Sequence, residues 1–191
     1  MKSLKTKSLF AISASLILLA LLAGCTKKIG TVINDPEIEQ SLYGNWSVSS
    51  SGESKFWTGP NIETEQYLGK ATIRTENSIR FSKNQSFEMS NNSIVESMSI
   101  PDDSSLEEDV LRPMLEKSVS IKGSFSVDKD YLELRRESVL VNGTESYTAE
   151  EYSKIDNNFG PVVQIQKWKL SGNTITVYGS SGEPDVDYER Q

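Results

Sequence analysis

Residues 118–127, SVSIKGSFSV, alternate without a break. Ile121, Gly123, Phe125 and Val127 fall on one side, and Ser120, Lys122, Ser124 and Ser126 on the other. Successive side chains leave a strand on opposite faces, so this period of two predicts a β-strand with one buried face. The same period recurs with Ile79 and Phe81, then with Phe87 and Met89, on either side of Lys83-Asn84-Gln85, which predicts a hairpin. NWSVS (45–49), EQYLGKATIRT (65–75) and SIVESMSI (93–100) read as further strands. YLELRRESVLV (131–141) returns from 118–127 through an Asp-Lys-Asp turn, and its phase changes near Arg136, as a β-bulge or bend would require. VVQIQKWKL and TITVYG form a last hairpin about Ser171-Gly172-Asn173, residue types that tolerate positive φ. Many short antiparallel strands in one ordinary domain predict a barrel or a sandwich.

One segment departs from this pattern. SSLEEDVLRPMLEK places Leu106, Val110, Leu111, Met114 and Leu115 at helical spacing, with Ser105 and Glu108 set as a capping box. Pro113 predicts a kink or break in that helix. The stretch 91–118 therefore reads as an insertion among the strands. The last residues, 181–191, are polar and read as a loose tail.

The N-terminus is organised differently. Lys2, Lys5 and Lys7 precede an apolar run from Leu9 to Ala23, and small residues follow. A charged region, an apolar region and a small-residue site are the parts of a secretory signal peptide. The run is about fifteen residues, short of the roughly twenty that a membrane-spanning helix needs. Leu22-Ala23-Gly24-Cys25 resembles the lipobox of bacterial lipoproteins. That resemblance implies cleavage after residue 24 and a lipid on Cys25, whose thiolate is the nucleophile, with acyl chains such as palmitate holding the protein to a membrane. Thr26 after Cys25 resembles lipoproteins sent to the outer membrane where the host is Gram-negative. Residues 25–40, with Gly30 and Pro36, read as the lipidated N-terminus and a linker.

Removing 24 of the 191 residues leaves 167, with 17 basic against 27 acidic side chains. So acidic a chain does not attract nucleic acid. It contains no histidine, and its single cysteine is Cys25. Serine–histidine and cysteine–histidine chemistry are thereby removed, and so is the commonest metal ligand. No run matches a calcium loop; KIDNNFG supplies Asp156 and Gly160 and lacks the rest. The expectation is a protein that is not an enzyme, with no metal and no cofactor.

LYGNWSV (42–48 with Gly44 and Trp46), SIRFSKNQSFEMS, IKGSFSVDKDYLEL and QKWKLSGNTITVYG occur in that order. Together they resemble the opening, first hairpin, middle and end of bacterial lipocalin-like domains over residues 41–180. The resemblance implies an all-β fold: an antiparallel up-and-down eight-stranded barrel with one short helical insertion. It also implies a cup for a small hydrophobic or amphipathic ligand, bound without a covalent step. Trp46, Phe81, Phe87, Phe125, Trp168 and Ile175 are the expected inward-facing ligand contacts. In lipocalins a late basic residue packs across the first-strand tryptophan, a role open here to Lys167, Lys169 or Arg190. The other expectation is a barrel with a filled core that contacts an envelope or host protein, through 91–118 and through turn aromatics Phe56, Trp57 and Phe159 exposed to solvent.

Overall fold

The computed structural model describes residues 32–58, 66–102, 107–157, 159–179 and 184–191. The signal peptide, Cys25, Ser105 and Leu106 lie outside the described residues, as does the side chain of Trp57. The strands, in chain order, are β1 (Gly44–Thr58), β2 (Gln66–Phe81), β3 (Ser86–Ser99), β4 (Lys117–Val127), β5 (Tyr131–Val141), β6 (Glu145–Thr148), β7 (Val163–Ser171), β8 (Thr174–Val177) and β9 (Val186–Arg190). β1 to β5 pair each with the next, β5 pairs with β7, and β7, β8 and β9 continue the meander. β9 then returns to β1 through Trp46 opposite Arg190 and Ser47 opposite Glu189. The result is a closed, antiparallel, up-and-down barrel of eight strands, with β6 attached outside the ring to β5. The residues expected as a loose tail thus supply the closing strand. Val186 and Tyr188 alternate with polar neighbours, and both are buried. Two apolar residues spaced by one polar residue are a weak signal in sequence, and the barrel seam they complete is not local.

Each hairpin is set by its turn. Between β2 and β3, Gln85 adopts a φ of 59° and its amide donates to Ser82 O at 3.0 Å. Between β4 and β5, the Asp128 carboxylate accepts from the amides of Asp130 and Tyr131, both at 2.8 Å, an Asx turn that fixes the register. Gly172, with φ +60°, makes the β7–β8 turn. The phase change near Arg136 is a bulge: Lys122 faces Ser138, Gly123 faces Arg136, and Glu137 is the extra residue. The bulge brings the Arg135 carbonyl so close that a Cβ on Gly123 would lie 1.9 Å from its oxygen.

Among the described residues three helices flank the barrel. The first, α1 (Pro36–Leu42), begins with Asp35, whose carboxylate accepts from the amides of Glu37 and Ile38, and with proline in its first turn. It lies across the end where β1 starts. Leu42 is fully buried there, and the Asp35 amide donates to Val127 O at 2.8 Å. The stretch expected as linker to residue 40 is therefore part of the folded body from Val32 onward, and Val32 is itself buried. The sequence reading missed it because one apolar side of a seven-residue helix is too short to show a period.

The second helix, α2 (Glu108–Leu115), occupies the predicted insertion and runs through Pro113. Leu111 and Leu115 face inward, while Val110 and Met114 are exposed. Arg112 donates to Val95 O at 2.7 Å, and the Val95 amide donates to Glu116 at 3.3 Å. The helix thus covers the edge of β3 beyond the point where β4 stops pairing at Ser93. The third, α3 (Ala149–Ile155), was not expected. It starts in a full capping box of Thr148 and Glu151, and it buries Ala149 and Tyr152. Phe56 and Phe159, expected as exposed turn aromatics, are both buried. Phe56 joins a small cluster with Leu68 and Leu115, and Phe159 packs edge-on to Tyr152, ring centroids 5.1 Å apart.

Gly123→Ala should lower stability by at least about 2 kcal/mol in urea unfolding, since backbone rather than a flexible side chain blocks the new methyl group. Gly172→Ala, which meets nothing within 4 Å and pays for its φ of +60° alone, should cost about 1 kcal/mol.

Candidate binding site in the barrel interior

The barrel's inner wall is built from alternate residues of each strand, so the register fixes what it presents. At the end closed by α1, the wall carries Trp46 from β1, Phe81 from β2, Phe87 from β3, Phe125 from β4, Trp168 from β7 and Ile175 from β8. All six are buried in one continuous cluster. Phe81 and Phe125 meet edge to face with centroids 4.8 Å apart. Trp46 donates from Nε1 to Leu42 O at 2.8 Å, and Trp168 to Asp128 O at 2.9 Å. The structure thus brings all six expected residues together, and it packs them against one another as a floor. The late basic residue is Arg190: its guanidinium carbon lies 4.3 Å from the centre of the Trp46 ring, and it donates to Ser41 O at 2.5 Å. Lys167 and Lys169 face elsewhere in the ladder, opposite Tyr131 and Thr176.

Below the floor, Glu39 of α1 accepts hydrogen bonds from Tyr43, Asn34 and Gln85. Burial works to raise its carboxyl, but these donors outweigh burial and hold it below its ordinary value. The carboxylate ties α1, the segment before it and the β2–β3 turn into one closed end.

Above the floor the wall turns polar. Val48, Asn77 and Asn91 stand in one row across β1, β2 and β3, and Ser50, Thr75 and Ser93 in the next. Asn91 donates to Asn77 Oδ1 at 2.6 Å. Asn77 and Thr75 are buried, whereas Val48, Ser50, Asn91 and Ser93 are half-buried although they lie on the inward side. Higher still, the long β1–β2–β3 meander carries a second apolar cluster of Phe56, Leu68, Ala71, Ile73 and Val95, closed by Leu115 of α2. Across the barrel, β5 and β7 present Arg136, Gln164 and Gln166, all buried. Arg136 donates to Phe159 O, Pro161 O and Gln164 Oε1 and lies 4.9 Å from the Phe159 ring. Burial pushes its guanidinium down to about 10, so it stays charged at neutral pH.

These interior polar residues were not singled out in the sequence, though each leaves a trace. Asn77 and Thr75 interrupt an otherwise apolar alternation from Ala71 to Phe81. Gln164 and Gln166 take the inward phase that Trp168 continues, and Arg136 stands at the phase change itself. On the outer face of the same meander, Ser47, Ser49, Arg74, Glu76, Ser78, Ser90 and Asn92, together with Val48 and Asn77, line a shallow groove of about 270 Å³. Among the described residues, no three His, Cys, Asp or Glu side chains gather as a metal site. No helix among them is long and apolar enough to cross a membrane.

No family model matches the chain, and no curated protein matches it. The eight-stranded closed barrel, with Trp46 at its closed end beneath Arg190, is compatible with a lipocalin-like fold.

Arg136→Met should destabilise the protein by about 2–4 kcal/mol in denaturant unfolding, because Phe159 O and Gln164 Oε1, both buried, and the half-buried Pro161 O lose their donor at once. Gln164→Leu, which removes one acceptor and leaves the two carbonyl contacts of Arg136, should cost less than half as much.

Proposed function

We propose that this protein is a bacterial lipoprotein of the cell envelope. In this reading residues 1–24 are its cleaved signal peptide, Cys25 carries the lipid, and the barrel binds a small amphipathic molecule without a covalent step. The single observation that supports ligand binding is the unequal filling of the interior. The six aromatic and aliphatic residues of the closed end leave no exposed surface to speak of, but Val48, Ser50, Asn91 and Ser93 keep partial exposure while pointing inward. That band lies between two apolar clusters and beside the seam where β1 leaves β9. An apolar wall interrupted by amide and hydroxyl groups suits a ligand with an apolar body and a polar group of its own. The six floor residues then shape the base of the cup, and the contacts come from the polar band. The LAGC motif at 22–25, the preceding apolar run and the basic N-terminus support the anchor, and Thr26 supports the outer membrane where the host is Gram-negative.

A second reading is a tethered module that contacts an envelope or host protein. It is favoured by the packed closed half of the barrel and by Val110 and Met114, which lie one turn apart on α2 and are 48% and 47% exposed.

Two experiments test the proposal. Residues 26–191, titrated with an environment-sensitive apolar dye, should bind it saturably at one to one. Ser50→Trp, which fills the polar band from the half-buried β1 position, should weaken binding by about tenfold or more without lowering the unfolding midpoint appreciably. A cooperatively unfolding protein that binds no dye would shift the case to the second reading. In cells fed an alkyne-tagged fatty acid, the chain should carry the label and sediment with membranes, and Cys25→Ser should abolish both. Label retained by that variant would overturn the anchor.

A further inference from the structure

β1 is fifteen residues long, and β9 pairs with its first few alone. The Gln191 amide donates to Asn45 O at 2.9 Å, so Asn45 and Ser47 turn their backbone groups toward β9. Along an antiparallel strand that direction recurs at every second residue, so Ser49, Ser51, Glu53 and Lys55 turn theirs the same way. No described residue pairs with that edge, and all four side chains are exposed. The matching edge at the far side of the meander is treated differently: both backbone groups of Val95 are taken by Arg112 and Glu116. Natural sheets usually blunt a long edge, because its free amides and carbonyls are a template for another strand.

We propose that the free edge of β1 pairs with the same edge of a second copy of this chain, antiparallel and centred on Ser54. The charges select both the partner and the register. Within the chain, Lys55 stands directly opposite Lys70, and Lys70 is already bonded to Glu53 at 2.8 Å. Centring the pair on Ser54 sets Glu53 of each copy against Lys55 of the other, on both sides of the two-fold axis. Each Glu53–Lys55 pair then exchanges both backbone hydrogen bonds as well as its charges. Centring on Glu53 would set two carboxylates face to face, and centring on Gly52 would leave every charge opposite a serine. The short sequence Glu53-Ser54-Lys55 is its own complement when reversed, which points to a second copy rather than a different strand. Pairing there begins at Ser50, opposite Thr58 of the other copy, and does not reach Val48, so the seam beside Val48 stays open.

The test uses residues 26–191, which contain all of both core clusters and no cysteine. At physiological salt, sedimentation and native mass spectrometry should give a monomer–dimer equilibrium. Lys55→Glu puts a carboxylate opposite Lys70 within the chain, so the monomer keeps its fold. It should nevertheless weaken the dimer roughly tenfold or more, since it makes two like-charge pairs. Glu53→Lys with Lys55→Glu restores reciprocal charges and should restore the dimer. Ser54→Cys should form a covalent dimer under mild oxidation, because its two copies face each other in a non-hydrogen-bonded pair with Cα atoms about 4.5 Å apart, within disulfide reach; Asn84→Cys, in the β2–β3 turn, should not. A chain that stays monomeric at all concentrations, a dimer that Lys55→Glu leaves unchanged, or a dimer in which Ser54→Cys fails to cross-link would each overturn the proposal.

Discussion

The barrel depends on a short seam. β1 and β9 meet at Trp46–Arg190 and Ser47–Glu189, and those few contacts turn an open meander into a ring. So small a ladder holds because side chains reinforce it at Trp46. On the inner face Trp46 is fully buried and tied through Nε1 to Leu42. Arg190 lies against the ring of Trp46 and donates to Ser41, so it links the last strand to the end of α1. The helix, the first strand and the last strand are thereby joined at one aromatic ring. A planar guanidinium suits this position, since it stacks on the indole and still reaches a carbonyl.

The strands that leave this seam are of unequal length, and much of the architecture follows from that. β1, β2 and β3 run to 15, 16 and 14 residues, whereas β8 and β9 have 4 and 5. The excess on one side cannot be matched across the ring, so the meander projects beyond it and needs an apolar cluster of its own. Phe56, Leu68, Ala71, Ile73 and Val95 provide it, and α2 closes it with Leu115. The insertion at 91–118 is therefore a continuation of β3 followed by a helix that covers what β3 exposes. On the opposite side the projecting β1 has no such cover among the described residues.

Legibility in the sequence follows the range of the interactions involved. The period of two in 118–127, the Asp-Lys-Asp turn and the bulge near Arg136 are local, and each appears in the structure where the residues place it. The inward placement of the six residues was equally readable, because a large apolar side chain on an alternating strand has one face to occupy. What could not be read is long-range. DVDYER looks like a polar tail until Tyr188 meets Ile175 and Arg190 meets Trp46. PEIEQSL looks like a linker until Glu39 finds Tyr43, Asn34 and Gln85. The polar band was passed over for a different reason: Asn77 and Thr75 on an apolar face read as imperfections of the pattern, and only the register sets Asn91 and Ser93 beside them.

The position of Val32 gives the interior a direction. Val32, the first described residue, is buried beside α1 and the closed end, where the Asp35 amide meets Val127. Cys25 precedes Val32 by seven residues, a reach of at most about 25 Å even when fully extended. In a single copy, a lipid on Cys25 would therefore hold the floor of the barrel toward the bilayer and the polar band away from it, and a ligand would reach the band from the aqueous side. Two copies joined along β1 would have their closed ends pointing apart, since antiparallel strands reverse direction across the two-fold axis. With about ten residues of strand between Ser54 and each closed end, roughly 34 Å at 3.4 Å per residue, such a pair could set both tethers on one surface only by lying along it. The seam beside Val48, which the paired strands do not reach, would then stay free of the second copy.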